Sequence, residues 1–484
     1  MTAKRLMVLG TGSDVGKSLL VAGLCRGWAR RGLKVAPFKA QNMSNNAAVT
    51  ADGGEIGRAQ ALQARAAGVP LTVHMNPVLL KPETDVDAQV VVQGRVLGRY
   101  SASAYQRLKP ELRGAVCASL DTLSATHDLV LVEGAGSGAE RYLRPQDISN
   151  MGLAEAADLP VVLVGDESRG GVTAAAIGHH RLWTASERAR VAGVIVNKFR
   201  GDPGVFAPAA EDILTETGWP VLGLLRWSDA ARALPEEDSL GFGRKRGAGS
   251  GLVVAVPELP RMANFDDLDP LAAESGVDLR WIRPGQPIPG DADVVLLLGS
   301  KATRSALETL RAEGWDIDIR AHIRRGGRVV GLCAGFQMLG HMVRDPDGIE
   351  GPPGASAGLG LLDIDTTLTG DKQLVEIDAQ DAISGARVTG YEMHMGRTAG
   401  PGLDRPWLRL DGRAEGAVSQ DGKVMGSYLH GLFGADAFRA HWLRAMGGMA
   451  AGTDHAARLD AALNAFADEI EADLDLDRLL AAAR

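Results

Sequence analysis

The segment VLGTGSDVGKS, residues 8–18, decides how the first half of this 484-residue chain folds. It follows the apolar run KRLMVLG and leads into KSLLVAGLCRGWARRG (17–32), an amphipathic stretch stopped at Gly32. A strand, a glycine-rich loop and a helix in that order aim backbone N–H groups and the positive end of a helix dipole at one place. That makes a cradle for phosphate. Lys17 can reach the β- and γ-phosphates, and the Ser18 hydroxyl can sit on Mg²⁺. The strict G-x-x-x-x-G-K-[ST] form is missed at one position, because Thr11 occupies the first glycine place. The plain alternative is a glycine turn with a chance Lys-Ser, and the order of strand, loop and helix argues against it.

Outward from this loop, short apolar runs alternate with amphipathic stretches. LKVAPFKA (33–40), HDLVLVEGAG (127–136), LPVVLVGD (159–166) and VAGVIVNKF (191–199) are apolar on both faces, as strands of a helix-covered parallel sheet are. Glu133 ends one of them, where a second carboxylate can hold Mg²⁺; a solvated acid at a strand end is the alternative. Asn197 and Lys198 end another, where a nucleobase would be read at the carboxyl edge of the sheet. Lys39 and Asp52 flank the polar run AQNMSNN. Asn42, Ser44 and Asn45 there could orient a polar substrate, or simply make an Asn/Ser-rich turn. Parts of 50–110 are too irregular to assign. The pattern breaks at GFGRKRGAGSG (241–251), read as a linker. A second α/β series follows, with strands in LVVAVPEL (252–259), ADVVLLLGS (292–300) and GRVVGLC (327–333) and a helix in SALETLRAEG. The expected organisation is a nucleotide-binding α/β domain over 1–240, a second α/β domain over 251–445 and an acidic helical segment over 446–484.

The run GLCAGFQMLG places Cys333 between Gly331 and Gly335, at a strand-to-helix junction. Small residues two positions either side let a strained elbow form and expose the thiol. The helix N-terminus beyond it lowers a thiol's pKa and offers N–H donors to an oxyanion. Most unpaired cysteines are small buried hydrophobes, and Cys25 and Cys117 are read that way. A thiol nucleophile needs a base. His430 in GSYLHGLF, at a strand end beside Gly431, is preferred over His394 in GYEMHMG. The usual third member, a carboxylate two residues on, is replaced by Leu432, so another group must orient His430.

Bulk properties narrow the class. A net charge of −8 argues against nucleic-acid binding, which needs a basic face. Three cysteines in this length are no disulfide framework, so a reducing, cytoplasmic setting is expected. No apolar run approaches the roughly 18 residues needed to span a membrane, and no signal-peptide pattern opens the chain.

Taken together, GTGSDVGKS, PFKAQNMSNN, NPVLLKP, VEGAGS, ISNMGLAEAADLPVVLVGD, GVIVNKFRGD, GLCAGFQMLG, GYEMHMGRT and SYLHGLF resemble the cobyric acid synthase family of the adenosylcobalamin pathway, in order over nearly the whole chain. The first domain is similar to dethiobiotin synthetase, whose phosphate loop has the same shifted glycine. The second is similar to class I glutamine amidotransferases of the type lacking the third triad carboxylate. The resemblance implies four amidations of adenosylcobyrinic acid a,c-diamide, at its b, d, e and g side chains, each using one glutamine and one ATP with Mg²⁺. It implies Cys333 as nucleophile and His430 as base, with Gly299, Ser300 and Ala334 at the oxyanion and glutamine site. Thr11, Gly12, Gly16, Lys17, Ser18, Lys39 and Asn197 are the expected nucleotide contacts. Ser18, Asp52 and Glu133 are the expected metal ligands. The expected partner is the corrinoid substrate, with no nucleic acid or membrane, and a homo-oligomer is left open. The chain departs from the family pattern at Tyr142, where Asn is common, at Glu167 and Ser168, where Ile and Asp are usual, and at Leu298, where Pro is usual. Rival readings are the synthase acting on the a and c side chains, a related amidase of cell-wall precursors, and a partitioning-type ATPase. Against the last, the loop start lacks an extra lysine and the tail is acidic.

Overall fold

The computed structural model describes residues 3–83, 87–235, 251–410, 412–452 and 454–484. The stretch read as a linker lies, except for Gly251, outside the described residues. The chain divides into two units, Met1–Pro235 with Leu459–Arg484, and Glu236–Arg458.

In the first unit β1 (Lys4–Gly10), β2 (Val35–Lys39), β3 (Leu129–Ser137), β4 (Val161–Asp166), β5 (Val191–Phe199) and β6 (Val221–Arg226) form one sheet. The order is β6-β5-β4-β1-β3-β2 and every pairing is parallel. The apolar runs are buried on both faces, as a parallel sheet under helices requires. Helix α1 (Lys17–Arg30) starts behind Gly16, whose φ of 91° is the left-handed turn that a glycine supplies without strain.

The described residues of the irregular stretch between 50 and 110 form regular elements. A hairpin pairs Ala47–Val49 with Glu55–Gly57, and a helix runs over Arg58–Ala67. A small sheet joins Gln41–Met43, Val78–Pro82, Asp87–Val92 and Arg95–Ser101. The strands Gln41–Met43, Ala47–Val49 and Glu55–Gly57, three residues each, are too short to leave a period in the sequence.

The acidic tail is not a segment of its own. It forms helices His455–Asp473 and Leu476–Ala482, and from Leu459 onward it belongs to the first unit. Leu463, Phe466, Ile470, Leu474, Leu476 and Leu479 enter the same apolar cluster as Leu20, Val21, Leu24 and Trp28 of α1. A Cβ on Gly23 would lie 2.2 Å from Ile470 Cδ1, so the glycine permits this close approach. The acids of the tail meet bases of the unit: Arg26 and Arg65 reach Asp460 at 2.6 and 2.9 Å, and Arg226 reaches Asp473 at 2.8 Å.

In the second unit β7 (Leu252–Pro257), β8 (Val277–Ile282), β9 (Val294–Leu297), β10 (Arg328–Leu332), β11 (Ala417–Val418) and β12 (Val424–Ser427) make a sheet of order β8-β7-β9-β10-β12-β11. It is parallel except for the edge pairing of β11 with β12. A second, mainly antiparallel sheet is built on the long strands Asp365–Asp381 and Arg387–Ala399. His430 belongs to this sheet: it ends the two-residue strand Leu429–His430 opposite Tyr391, the strand end beside Gly431 that the sequence suggests. The chain crosses from one sheet to the other at Tyr428.

Candidate functional site

Cys333 stands between β10 and helix α2 (Ala334–Leu339) with φ 53° and ψ −111°, a strained backbone for a side chain with a Cβ. The neighbours explain why it forms. A Cβ on Gly331 would lie 2.6 Å from Gly335 C, and one on Gly335 would lie 2.0 Å from Leu297 O. Only glycine at both places lets the elbow close. Cys333 N–H donates to Ser427 O at 2.8 Å, and its thiol reaches Met393 O at 3.6 Å.

A Cβ on Gly299 would be 3.5 Å from Cys333 Cβ and 3.6 Å from His430 Cε1, so the three residues meet at one point. Gly299 and Ser300 pair with Ala263 and Met262, and the Ser300 hydroxyl donates to Pro260 O at 2.8 Å. That hydroxyl holds the turn, so the backbone is what this segment presents to a ligand. Ala334 is buried at the first position of α2, and Leu298 is fully buried.

His430 is 1 % exposed. Its Nδ1 lies 2.7 Å from Asp267 Oδ2, while the N–H of Gly431 donates to Asp267 Oδ1 at 2.7 Å. Tyr391 stacks on the ring at 5.3 Å between centroids. Nε2 is buried without a hydrogen-bond partner among the described residues. Burial pushes the imidazole pKa down, but the Asp267 carboxylate and Cys333 outweigh it and hold it up at about 10. His394 goes the other way. Burial, then the charges of His430 and Arg413, lower it to about 4, and it lies face to face on Tyr428 at 3.6 Å.

Two residues of this site escaped the sequence reading. One is Asp267, whose only sequence signal is the acidic cluster in ANFDDLDPL. The other is Gln337, one turn beyond Cys333 on α2. Its amide donates to Met395 O at 2.9 Å and Tyr428 Oη at 3.1 Å and accepts from Thr303 at 3.2 Å. The i, i+4 spacing from Cys333 was the available sign of it.

In the first unit the strand ends converge as parallel-sheet register dictates. Lys39 of β2 is the register partner of Glu133 of β3, and their side chains meet at 2.9 Å. The Ser18 hydroxyl donates to Glu133 Oε1 at 2.7 Å, and Gln63 donates to Oε2 at 2.7 Å. Burial works to raise the Glu133 carboxyl, but Lys39 and the hydrogen bonds from Ser18 and Gln63 hold it below the usual range. Lys17 Nζ donates to Gly12 O at 2.9 Å and Gly136 O at 3.0 Å, and Thr11 N–H donates to Val164 O at 2.9 Å. Asn197 donates to Val15 O at 2.8 Å, so it braces the loop from behind; a Cβ on Gly16 would strike its Nδ2 at 2.3 Å. Lys198 pairs with Asp166 at 2.8 Å.

Asp52 is not brought to this cluster. It lies exposed at the tip of the 47–57 hairpin, where Thr50 donates to it. Asn42 and Ser44 are buried and used internally, Asn42 bonding Gln60 at 3.1 Å and Ser44 accepting Asn46 N–H at 3.0 Å. Asn45 Oδ1 has no hydrogen-bond partner among the described residues. Tyr142 is 76 % exposed, and Ser168 turns back to Asp166, donating from its hydroxyl at 2.6 Å. Among the described residues no three His, Cys, Asp or Glu side chains gather as a closed metal site. The Ser18 hydroxyl and Glu133 carboxylate are hard oxygen donors, an open half-site that suits Mg²⁺ shared with phosphate.

Residues 6–240 match the model of the CobQ/CobB/MinD/ParA nucleotide binding domain, and residues 253–438 match that of the CobB/CobQ-like glutamine amidotransferase domain. Three curated relatives are cobyric acid synthases. That of Bradyrhizobium sp. strain BTAi1 is 57 % identical, covering 100 % of this chain and 99 % of the relative. That of Rhodobacter capsulatus is 57 % identical over 100 % of both, and that of Paracoccus denitrificans 56 % identical over 99 % of both. The chain therefore belongs to the cobyric acid synthase family, glutamine-hydrolysing ligases that join an ATP-binding α/β domain to a CobB/CobQ-type glutamine amidotransferase domain.

Proposed function

We propose that this enzyme amidates the b, d, e and g carboxylates of adenosylcobyrinic acid a,c-diamide to adenosylcobyric acid, using glutamine as the ammonia donor and ATP. The observation that carries this is the presence, in one chain, of the Ser18–Glu133–Lys39 cluster behind a phosphate loop and the Cys333–His430 pair at a strained elbow. Full-length identity to cobyric acid synthases supports the corrinoid substrate.

In the amidotransferase unit His430 Nε2 takes the Cys333 proton. The thiolate attacks the glutamine side-chain carbonyl, and the oxyanion is met by backbone N–H groups at Gly299 and Ala334. The C–N bond breaks as the imidazolium returns its proton to nitrogen, releasing ammonia and leaving a thioester. Water, deprotonated by His430, then releases glutamate and restores the thiol. In the other unit the substrate carboxylate takes the γ-phosphoryl group, becoming a mixed anhydride with a good leaving group, and ammonia displaces phosphate. Lys17 and Lys39 offset the repulsion between carboxylate and phosphate. Ser18 and Glu133 would hold Mg²⁺, which when bound neutralises phosphate charge. Asn197, seated behind the loop, fits a role beside the nucleobase. The three unpaired cysteines suit a reducing, cytoplasmic setting.

Mass spectrometry of the product from the a,c-diamide, glutamine and MgATP tests the reading. Four successive losses of about one mass unit, as each hydroxyl becomes an amino group, are expected. A product amidated at no remaining carboxylate would overturn it.

A further inference from the structure

The place two residues beyond His430, where a carboxylate usually stands, holds the fully buried Leu432. The structure fills the role from elsewhere in the chain. Asp267 lies 163 residues before His430 and is buried with it, their side chains 2 % and 1 % exposed. It sits in the turn Phe265–Leu268, entered through Asn264 in the left-handed region at φ 54°. Both carboxylate oxygens are engaged by one short stretch of chain. Oδ2 is 2.7 Å from His430 Nδ1 and Oδ1 accepts the Gly431 N–H at 2.7 Å. Gly431 has φ 81°, a conformation that a glycine supplies freely, and this geometry turns its N–H to the carboxylate.

We propose that Asp267 is the positioning carboxylate of the glutaminase, fixing the His430 tautomer and ring so that Nε2 faces Cys333. This rests on the reading of Cys333 as nucleophile and His430 as its proton partner. A proton on Nδ1 donated to Asp267 leaves Nε2 as the nitrogen that exchanges a proton with sulfur. When the Cys333 S–H bond breaks, the proton goes to Nε2. Asp267 stays ionised and its charge faces the new imidazolium, so no proton passes to the carboxylate. The second bond, to Gly431, is what a mere counter-ion would lack. It ties the carboxylate to the backbone that carries the histidine, so ring and carboxylate keep one orientation. Asp267 thereby supplies from an upstream turn what other amidotransferases place beside the histidine in sequence.

Asp267→Asn keeps the shape and removes the charge. The expected result is a fall in kcat for glutamate release of roughly 10²–10⁴-fold, with KM for glutamine changed by less than about threefold. Ligation from added ammonium, which does not use this site, continues. The alkaline limb of kcat/KM moves to lower pH, because His430 loses the charge that retains its proton. The rate of Cys333 alkylation by iodoacetamide, followed on its own peptide, shows the same shift. Asp267→Glu, with the charge restored on a longer arm, recovers part of the rate. An Asp267→Asn enzyme with wild-type kcat and pH profile overturns the proposal, as does a loss confined to KM. Should thermal unfolding show that the Asn variant is misfolded, Asp267→Glu decides: a displaced alkaline limb supports the role, and an unchanged one refutes it. Wild-type enzyme that releases no glutamate from glutamine would instead sink the reading of Cys333 and His430.

Discussion

At the scale of single residues, Cys333 and His430 divide the work of one proton. Replacing Cys333 by Ala is expected to abolish glutamine-dependent amidation while ligation from added ammonium continues; full activity with glutamine in that variant would refute the thiol's role. His430 also links pH to stability. Its proton is held more tightly in the fold, at about 10, than at its ordinary 6.5. The resulting stabilisation is complete below 6.5 and is lost as pH rises through about 10. Melting temperature should therefore fall more steeply between pH 7 and 10 in the wild type than in His430→Gln, as calorimetry at several pH values would show; parallel curves would contradict the assignment. By sequence His394, in GYEMHMG, is the rival base. Burial of its ring against Tyr428, which makes it a poor proton acceptor near neutrality, shows in no local pattern.

At the scale of elements, the strand–elbow–helix around Cys333 and the strand–loop–helix around Lys17 use glycine for different reasons. Gly16 supplies a left-handed backbone, with φ 91°. Gly335 supplies room, since its Cβ would lie 2.0 Å from a backbone oxygen of β9's last residue. Gly335→Ala should therefore cost about 1–3 kcal/mol of stability, as overpacking does, and displace the thiol. Urea unfolding of the variant checks the first and glutaminase assay the second; a variant as stable and active as the wild type would show that the elbow tolerates a methyl group. The long parallel strands were legible because double burial leaves uninterrupted apolar runs. The 41–57 region was not, because its strands are three residues long and its polar side chains are used internally, Ser44 by Asn46 in the turn and Asn42 by Gln60 of the helix that follows.

At the scale of the whole molecule, the tail is the clearest case of structure that composition conceals. Its acidic face carries Asp460 and Asp473 to arginines of the first unit, and its apolar stripe enters that unit's core. Truncation after Arg458 should remove Leu463, Phe466, Ile470 and Leu474 and uncover Leu20, Val21, Leu24 and Trp28 of α1, each worth roughly 1.5–3 kcal/mol of burial. The expected outcome is loss of the cooperative unfolding transition of the first unit and of ATP-dependent ligation. A truncated chain that melts like the intact one would mean that the tail adds nothing to that core. No helix among the described residues is long and apolar enough to cross a membrane.

What contiguous pattern carries was legible before folding: the two α/β series, the glycine loop before Lys17, the glycine-flanked thiol and the family. These depend on neighbours a few residues away, where backbone sterics and hydrophobic period act. Whatever depends on register and on chain returning from afar emerged from the folded chain alone. The register of β2 against β3 set Lys39 on Glu133, and the turn at 265–268 brought Asp267 under His430. Hydrogen bonds and charge act through space over a few ångströms, so residues far apart along the chain leave no shared signal in it until folding joins them.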